Sequence, residues 1–299
     1  MERSVGPAFK QQTGDEFRGH AGGSQELAKK VKEGALQGDV FISADPKVNA
    51  LLSDPTNADQ WYVTFAESPL VLGVSPSSRF AADAKGKPWN EILMQPGVKI
   101  GRTDPAKDPK GALTVEFLKK TDKPELAKLV LDHSSVLPEE TLVQKIQAGE
   151  LDVGFFYSVE TTDAGLTAIE FPAAITPKAI YTVTILQKTP NPDGGQKFVS
   201  FLLGSKGLAL LKEHGLSLTD PQLTGSDTSV PPAVKAREAV STGTVARCPP
   251  CVQTAQGSLG KTTFGGLGRV WNMRSASASS AARYRRRGAG QIREIGCAG

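Results

Sequence analysis

Asp104-Pro-Ala-Lys-Asp-Pro-Lys-Gly111 is the stretch of this sequence with the clearest chemical use. It follows the short apolar run Val98-Lys-Ile-Gly101 and precedes an apolar-periodic segment from Ala112 to Leu118. A strand feeding a Pro- and Gly-punctuated loop that opens into a helix leaves backbone N–H groups without intrahelical partners. Such groups suit an anion. Gly22-Gly-Ser-Gln-Glu-Leu-Ala28 is a second corner of the same kind, a small polar loop entering a helix. Two helix mouths of this type, with almost nothing elsewhere that could do catalysis, point to a protein that holds an oxyanion.

The other reactive residue types exclude more than they suggest. His20, His133 and His214 are scattered without metal-ligand spacing. Cys248-Pro-Pro-Cys251 has the spacing of a redox or zinc half-site, but no strand–helix context or second pair accompanies it. Tyr284-Arg-Arg-Arg287 is a lone basic run, weak as a nucleic-acid signal. Neither a phosphate-binding Gly-x-x-x-x-Gly-Lys nor a Gly-x-Ser-x-Gly elbow occurs. Lys29, Lys30, Lys32, Lys119 and Lys120 read as solvated helix faces, since oxyanion receptors often use neutral dipoles. No enzyme chemistry and no resident cofactor is expected.

The elements that must position the two corners follow from periodicity. The chain has 299 residues, 39% of them hydrophobic, enough for one large or two modest domains, and no apolar run approaches a membrane span. Residues 1–13 read as an amphipathic helix ending near Gly14, and Ser24 as the N-cap of a helix through Lys32 with Glu26 early and lysines late. Strands are expected at 39–43, 61–65, 70–74, 98–101, 153–157 and 181–186. Helices are expected at 112–120, 139–148, 196–203 and 206–214. The alternation predicts an α/β fold with largely parallel sheets. From Ser241 onward there are eight Arg and one Lys against one Glu, so the net charge of +4 resides in the tail and residues 1–240 carry about −4. All three cysteines lie in that Gly-, Ser- and Ala-rich segment, which is expected to be disordered. Met1-Glu-Arg-Ser shows neither a basic n-region nor an apolar h-region, so the chain as written is expected to lack a signal peptide.

Several of these motifs recur, in order, in a known family. Gly23-Ser-Gln-Glu-Leu-Ala-Lys-Lys-Val with Gly38-Asp-Val-Phe-Ile-Ser-Ala-Asp45 resembles the N-terminal lobe of molybdate/tungstate-binding proteins of ABC importers. Gly101-Arg-Thr-Asp-Pro-Ala-Lys-Asp-Pro-Lys-Gly-Ala-Leu113 is similar in the same way. So is the closing Lys197-Phe-Val-Ser-Phe-Leu-Leu-Gly-Ser-Lys-Gly207 with Lys212-Glu-His-Gly215. The resemblance covers roughly residues 4–235 and is closest to the archaeal-type tungstate/molybdate branch.

It implies a two-lobed periplasmic-binding-protein-like (type II) α/β clamp with mixed, largely parallel sheets. The first lobe would combine 1–72 with 182–235, the second would span 73–181, and 236–299 would be a disordered tail without family counterpart. The hinge crossings are expected near 67–73 and 181–187. By the same resemblance Ser24, the backbone N–H of Lys110, the helix start at Glu139 and the Tyr181 hydroxyl hold the oxyanion, while the carboxylates of Asp108 and Glu139 ligate the metal of the anion itself. It further implies molybdate or tungstate as transported ligand, a membrane permease as partner, a monomer, and a periplasmic or extracellular location. The resemblance also implies a signal peptide and a first strand carrying a further anion-binding Ser, and the sequence as given is expected to begin after that strand.

Each residue also has a plainer use. Ser24 can be an ordinary N-cap, Asp108 a turn residue before Pro109, Glu139 and Glu140 dipole partners of a helix start, and Tyr181 a strand aromatic. Sulfate or a small organic acid as ligand, or a truncated non-functional member, are the competing readings. Inward-pointing Asp108 and Glu139 would argue against the other anions.

Overall fold

A computed structural model describes residues 4–52, 61–226, 230–232, 235 and 268–274. Cys248, Cys251, Cys297, the Tyr284–Arg287 run and most of the expected tail lie outside the described residues.

The chain opens with α1 (Val5–Thr13), which stops at Gly14, whose φ of 79° is a left-handed C-cap that glycine takes without strain. β1 (Glu16–Gly22) leads into α2 (Ser24–Lys32), and β2 (Val40–Ser43), buried at every position, into a short turn and α3 (Asn49–Leu52). β3 (Trp61–Val74) is one continuous strand where two were expected. After it come α4 (Trp89–Leu93), β4 (Ile100–Arg102), α5 (Pro109–Lys120), α6 (Pro124–His133), β5 (Ser135–Val136) and α7 (Glu139–Gln147). β6 (Val153–Tyr157), α8 (Ser158–Ala164), β7 (Thr167–Glu170) and β8 (Lys178–Ile185) carry the chain back. It closes with α9 (Pro192–Leu202), α10 (Ser205–Glu213), β9 (Ser217–Gly225) and β10 (Gly268–Arg274).

Two sheets share β3. Its residues from Trp61 to Pro69 pair with β8 on one side and β9 on the other. Those from Leu70 to Val74 pair with β6 and β7. The change of partners falls at Pro69, which has no N–H to give a ladder, and Leu70 donates instead to the Pro177 carbonyl at 3.0 Å. The chain returns to the first sheet over 171–177, between β7 and β8. The first sheet runs β1-β10-β2-β8-β3 with β9 beside β3, and the second runs β3-β6-β4-β5 with β7 beside β3.

The sheets are mixed, but less parallel than the alternation of elements suggested. Among the described residues the parallel pairings are those of β4 with β5 and β6. The reason is the long crossing strand: β8 runs back along β3 antiparallel, and β6 and β7 do so on the second sheet. The segment expected to be disordered also contributes. Residues 268–274 form β10, antiparallel to both β1 and β2, so that β1 and β2 run in the same direction on either side of it.

Burial fixes the helices to the sheets. Phe9 of α1 meets Phe198 and Phe201 of α9 edge-on at 5.3 and 5.7 Å on the first sheet. On the second, Phe117 of α5 stacks on Phe171 at 4.0 Å, with Trp89 edge-on to both. Leu142 and Ile146 of α7 pack with Val71 and Phe156 on its other side. Among the described residues no helix is long and apolar enough to cross a membrane.

Candidate functional site

The two corners read from the sequence meet. α2 belongs to the first sheet, packing Leu27 and Ala28 against Phe41 of β2, whereas α5 follows β4 of the second. Gly23, the N-cap of α2, lies so close to the Asp104–Gly111 corner that a Cβ there would stand 2.4 Å from the Lys107 carbonyl oxygen. The Glu26 amide donates to that same carbonyl at 3.2 Å. The helix mouths of the two sheets are therefore in direct contact.

Local hydrogen bonds shape the corner. The Asp104 carboxylate accepts from the Ala106 amide at 2.9 Å, and its carbonyl accepts from Lys107 and Asp108. Asp108 then caps α5, its Oδ1 accepting from the Lys110 amide at 2.8 Å. Gly111 is dictated by space, because a Cβ would sit 2.6 Å from the Thr103 carbonyl oxygen. Ser24, fully buried, accepts from the Ala44 amide at 3.3 Å through Oγ.

The side chain of Lys110 is the hub of the site. Its Nζ, fully buried, donates to Glu139 Oε2 at the start of α7 and to Glu160 on α8, 3.0 Å from Oε2 and 3.2 Å from Oε1. Glu160 Oε2 also accepts from the Tyr157 amide at 2.8 Å, the N3-to-N-cap half of a capping box. The Tyr157 ring lies 5.6 Å from Lys110 Nζ and 6.3 Å from the Tyr181 ring. The Tyr157 hydroxyl is buried without a hydrogen-bond partner.

Three carboxylates thus surround one ammonium away from water, and not all of them stay ionised. Burial, then the Glu139 charge, pushes Asp108 up to about 7. Burial, then the charge of Glu160, pushes Glu139 up to about 8, and burial raises Glu160. Burial works against the Lys110 ammonium, but Glu139, Glu160 and Asp108 outweigh it and raise its pKa. Tyr157 is held well above the usual phenol range by burial and by Asp108. Among the described residues no group of three His, Cys, Asp or Glu side chains is arranged to hold a metal ion.

Ser24, Asp108, Lys110, Glu139 and Tyr181, read from the sequence as candidates, are gathered at this meeting of α2, α5, α7 and β8. Two details differ from the expectation. The Lys110 amide is engaged by Asp108, and the Lys110 side chain, given no part beforehand, ties the carboxylates together. Glu160 and Tyr157 were missed. The available signal was Glu160 three residues beyond the end of the 153–157 strand, the spacing of an N3 capping residue.

The architecture is α/β, two sheets sharing a long crossing strand with the helix mouths of both in contact. Residues 1–217 match the model of the bacterial extracellular solute-binding protein family, and the chain belongs to that family. It is 28% identical over 239 residues to an uncharacterized solute-binding protein of Petrotoga mobilis, covering 67% of this chain and 74% of that one. It is 26% identical to the molybdate/tungstate-binding protein WtpA of Pyrococcus abyssi, covering 73% and 79%. Among solved structures it is similar to the periplasmic molybdate-binding protein of Azotobacter vinelandii, with a TM-score of 0.57 at 22% identity over 72% of this chain and 93% of the other. The fold is shared with Peb3 from Campylobacter jejuni as well, at a TM-score of 0.53 and 11% identity over 71% and 92%.

Proposed function

We propose that the chain captures molybdate or tungstate between its two sheets and delivers it to the membrane permease of an ABC importer, from a periplasmic or extracellular position. The observation that carries this reading is the contact between the mouth of α2 and the Asp104–Gly111 corner of α5. Helix N-termini present partial positive charge, and two of them brought together favour an anion over a neutral solute. The names of the relatives supply the kind of anion.

In this reading the Ser24 hydroxyl, the first turn of α5 at Lys110, the start of α7 at Glu139 and the Tyr181 hydroxyl surround the anion. Asp108 and Glu139 are the carboxylates that its metal centre would meet. The first sheet with its helices moves as one lobe and the second sheet with its helices as the other, about the crossings of β3 and 171–177. Binding is closure of this clamp by a ligand that favours the closed state, with no bond made or broken and no resident cofactor. The protein acts as a monomer.

Equilibrium dialysis against molybdate and tungstate, with retained metal read by mass spectrometry, tests the assignment. Hydrogen bonds to a charged group contribute about 1.5–3 kcal/mol, so Ser24→Ala and Tyr181→Phe each weaken retention by roughly tenfold or more. Unchanged retention in both variants would place the ligand elsewhere.

A further inference from the structure

β1 and β2 run in the same direction with one strand's width between them, and 268–274 fills that width antiparallel to both. Strands pair at about 4.7–4.9 Å, so the two walls stand roughly 9–10 Å apart and cannot bond each other. Each wall has anchors of its own. β2 pairs with β8 over Val40–Ser43. β1 is fixed by side chains of α1 and α9: the Phe17 ring stacks on Phe198 at 5.2 Å, and Lys10 Nζ donates to Glu16 Oε1 at 3.2 Å. Gly6 of α1 lies so near that ring that a Cβ would stand 2.5 Å from Phe17 Cδ1. Walls and anchors all lie inside the family match over 1–217, whereas 268–274 lies beyond it and is tied to the rest of the chain through 226–267. Among the described residues β10 is the one strand paired with β1. Two strand edges facing each other across one strand's width take up an extended segment through main-chain hydrogen bonds.

We propose that the gap between β1 and β2 is a strand-acceptor site for an extended peptide, and that residues 268–274 are its tethered, replaceable occupant. The register defines the ligand: seven residues paired with Glu16–Gly22, the second to fourth of them also paired with Ile42, Phe41 and Val40. Successive residues of a strand turn their N–H groups to opposite neighbours, so bonding both walls needs an N–H at adjacent central positions. Proline there removes it. The tether holds the occupant at high local concentration, and an added peptide competes well only once the link is cut.

The full chain, folded and then cut at a site-specific protease sequence placed within 236–267, gives the test. The probe is a fluorescent peptide of Gly268–Arg274. Saturable uptake of the peptide by the cut chain is expected, matched by release of the fragment bearing 268–299 on gel filtration. The uncut chain binds the peptide about a hundredfold more weakly. Amide exchange across 16–22 and 40–42 in the peptide-bound chain stays as slow as in the uncut one, and a peptide carrying Val270→Pro and Trp271→Pro is not taken up. No uptake by the cut chain overturns the proposal. So does uptake with the fragment still bound, which places the peptide elsewhere, or equal uptake of the proline peptide. Faster exchange across 16–22 and 40–42 with the peptide bound overturns it as well. None of these readouts involves an oxyanion, so the outcome is independent of the function proposed above.

Discussion

At the scale of residues, the cluster of Asp108, Glu139 and Glu160 around Lys110 couples folding to protons. Asp108 rises from 3.8 to about 7 and Glu139 from 4.5 to about 8, with Glu160 raised as well. A carboxyl whose folded pKa exceeds its unfolded one binds more protons in the folded state. Its contribution is fully present below the unfolded value and is lost as pH rises through the folded one. The raised Lys110 keeps its contribution throughout this range, because it is lost only above the ordinary lysine value. Lowered by burial, His214 works in the opposite direction. The melting temperature is therefore expected to carry a component that falls from about pH 4 to about pH 8. Glu139→Gln removes part of that component, and scanning calorimetry of both chains across the range isolates it as their difference. An identical pH dependence in the two would contradict the shift. The polar corners that carry Ser24, Asp108 and Lys110 were legible because Gly, Pro and Asp punctuate helix starts in recognisable ways, whereas Glu139 was reached only through the family resemblance. The Lys110 side chain was not legible, since a lysine in a polar loop ordinarily points to water and only packing from α7 and α8 decides otherwise.

The elements divide along the same line. α2, α5, α7, α9 and α10 carry periodic apolar faces or capping residues and were readable. β3 read as two strands because Glu67-Ser-Pro69 interrupts its apolar pattern, at the place where the strand changes sheets. β1 was invisible for a different reason: Glu-Phe-Arg-Gly-His-Ala-Gly has little strand character, and pairing supplies what its sequence lacks. That pairing is with β10 over seven residue pairs, from Glu16 with Arg274 to Gly22 with Gly268. β1 runs straight into Gly23 and Ser24, so β10 also steadies one side of the site. Deleting 268–274 is expected to raise amide exchange across 16–22 by at least tenfold, while β6 in the second sheet is unaffected. Protection unchanged across 16–22 would show that β1 holds its place by other means.

For the molecule as a whole, family and fold meet in a clamp whose two sheets are joined by β3 and the 171–177 return. The alternation of strands and helices made its α/β class legible, whereas strand direction was not, because sequence periodicity does not record which strand lies beside which. The negative balance of residues 1–240, about −4, makes long-range attraction of an anion an unpromising source of affinity. Local dipoles at the helix mouths and the size of the closed cleft must supply it. Sulfate carries the same charge as molybdate and tungstate but is smaller, so under the proposed function closure around the larger anions would discriminate by fit. Calorimetric titration of the full chain with tungstate, molybdate and sulfate in parallel tests this directly. Saturable binding of tungstate and molybdate, with sulfate weaker by at least a hundredfold, is the predicted result. Sulfate binding as tight as tungstate, or no heat with any of the three, would contradict it.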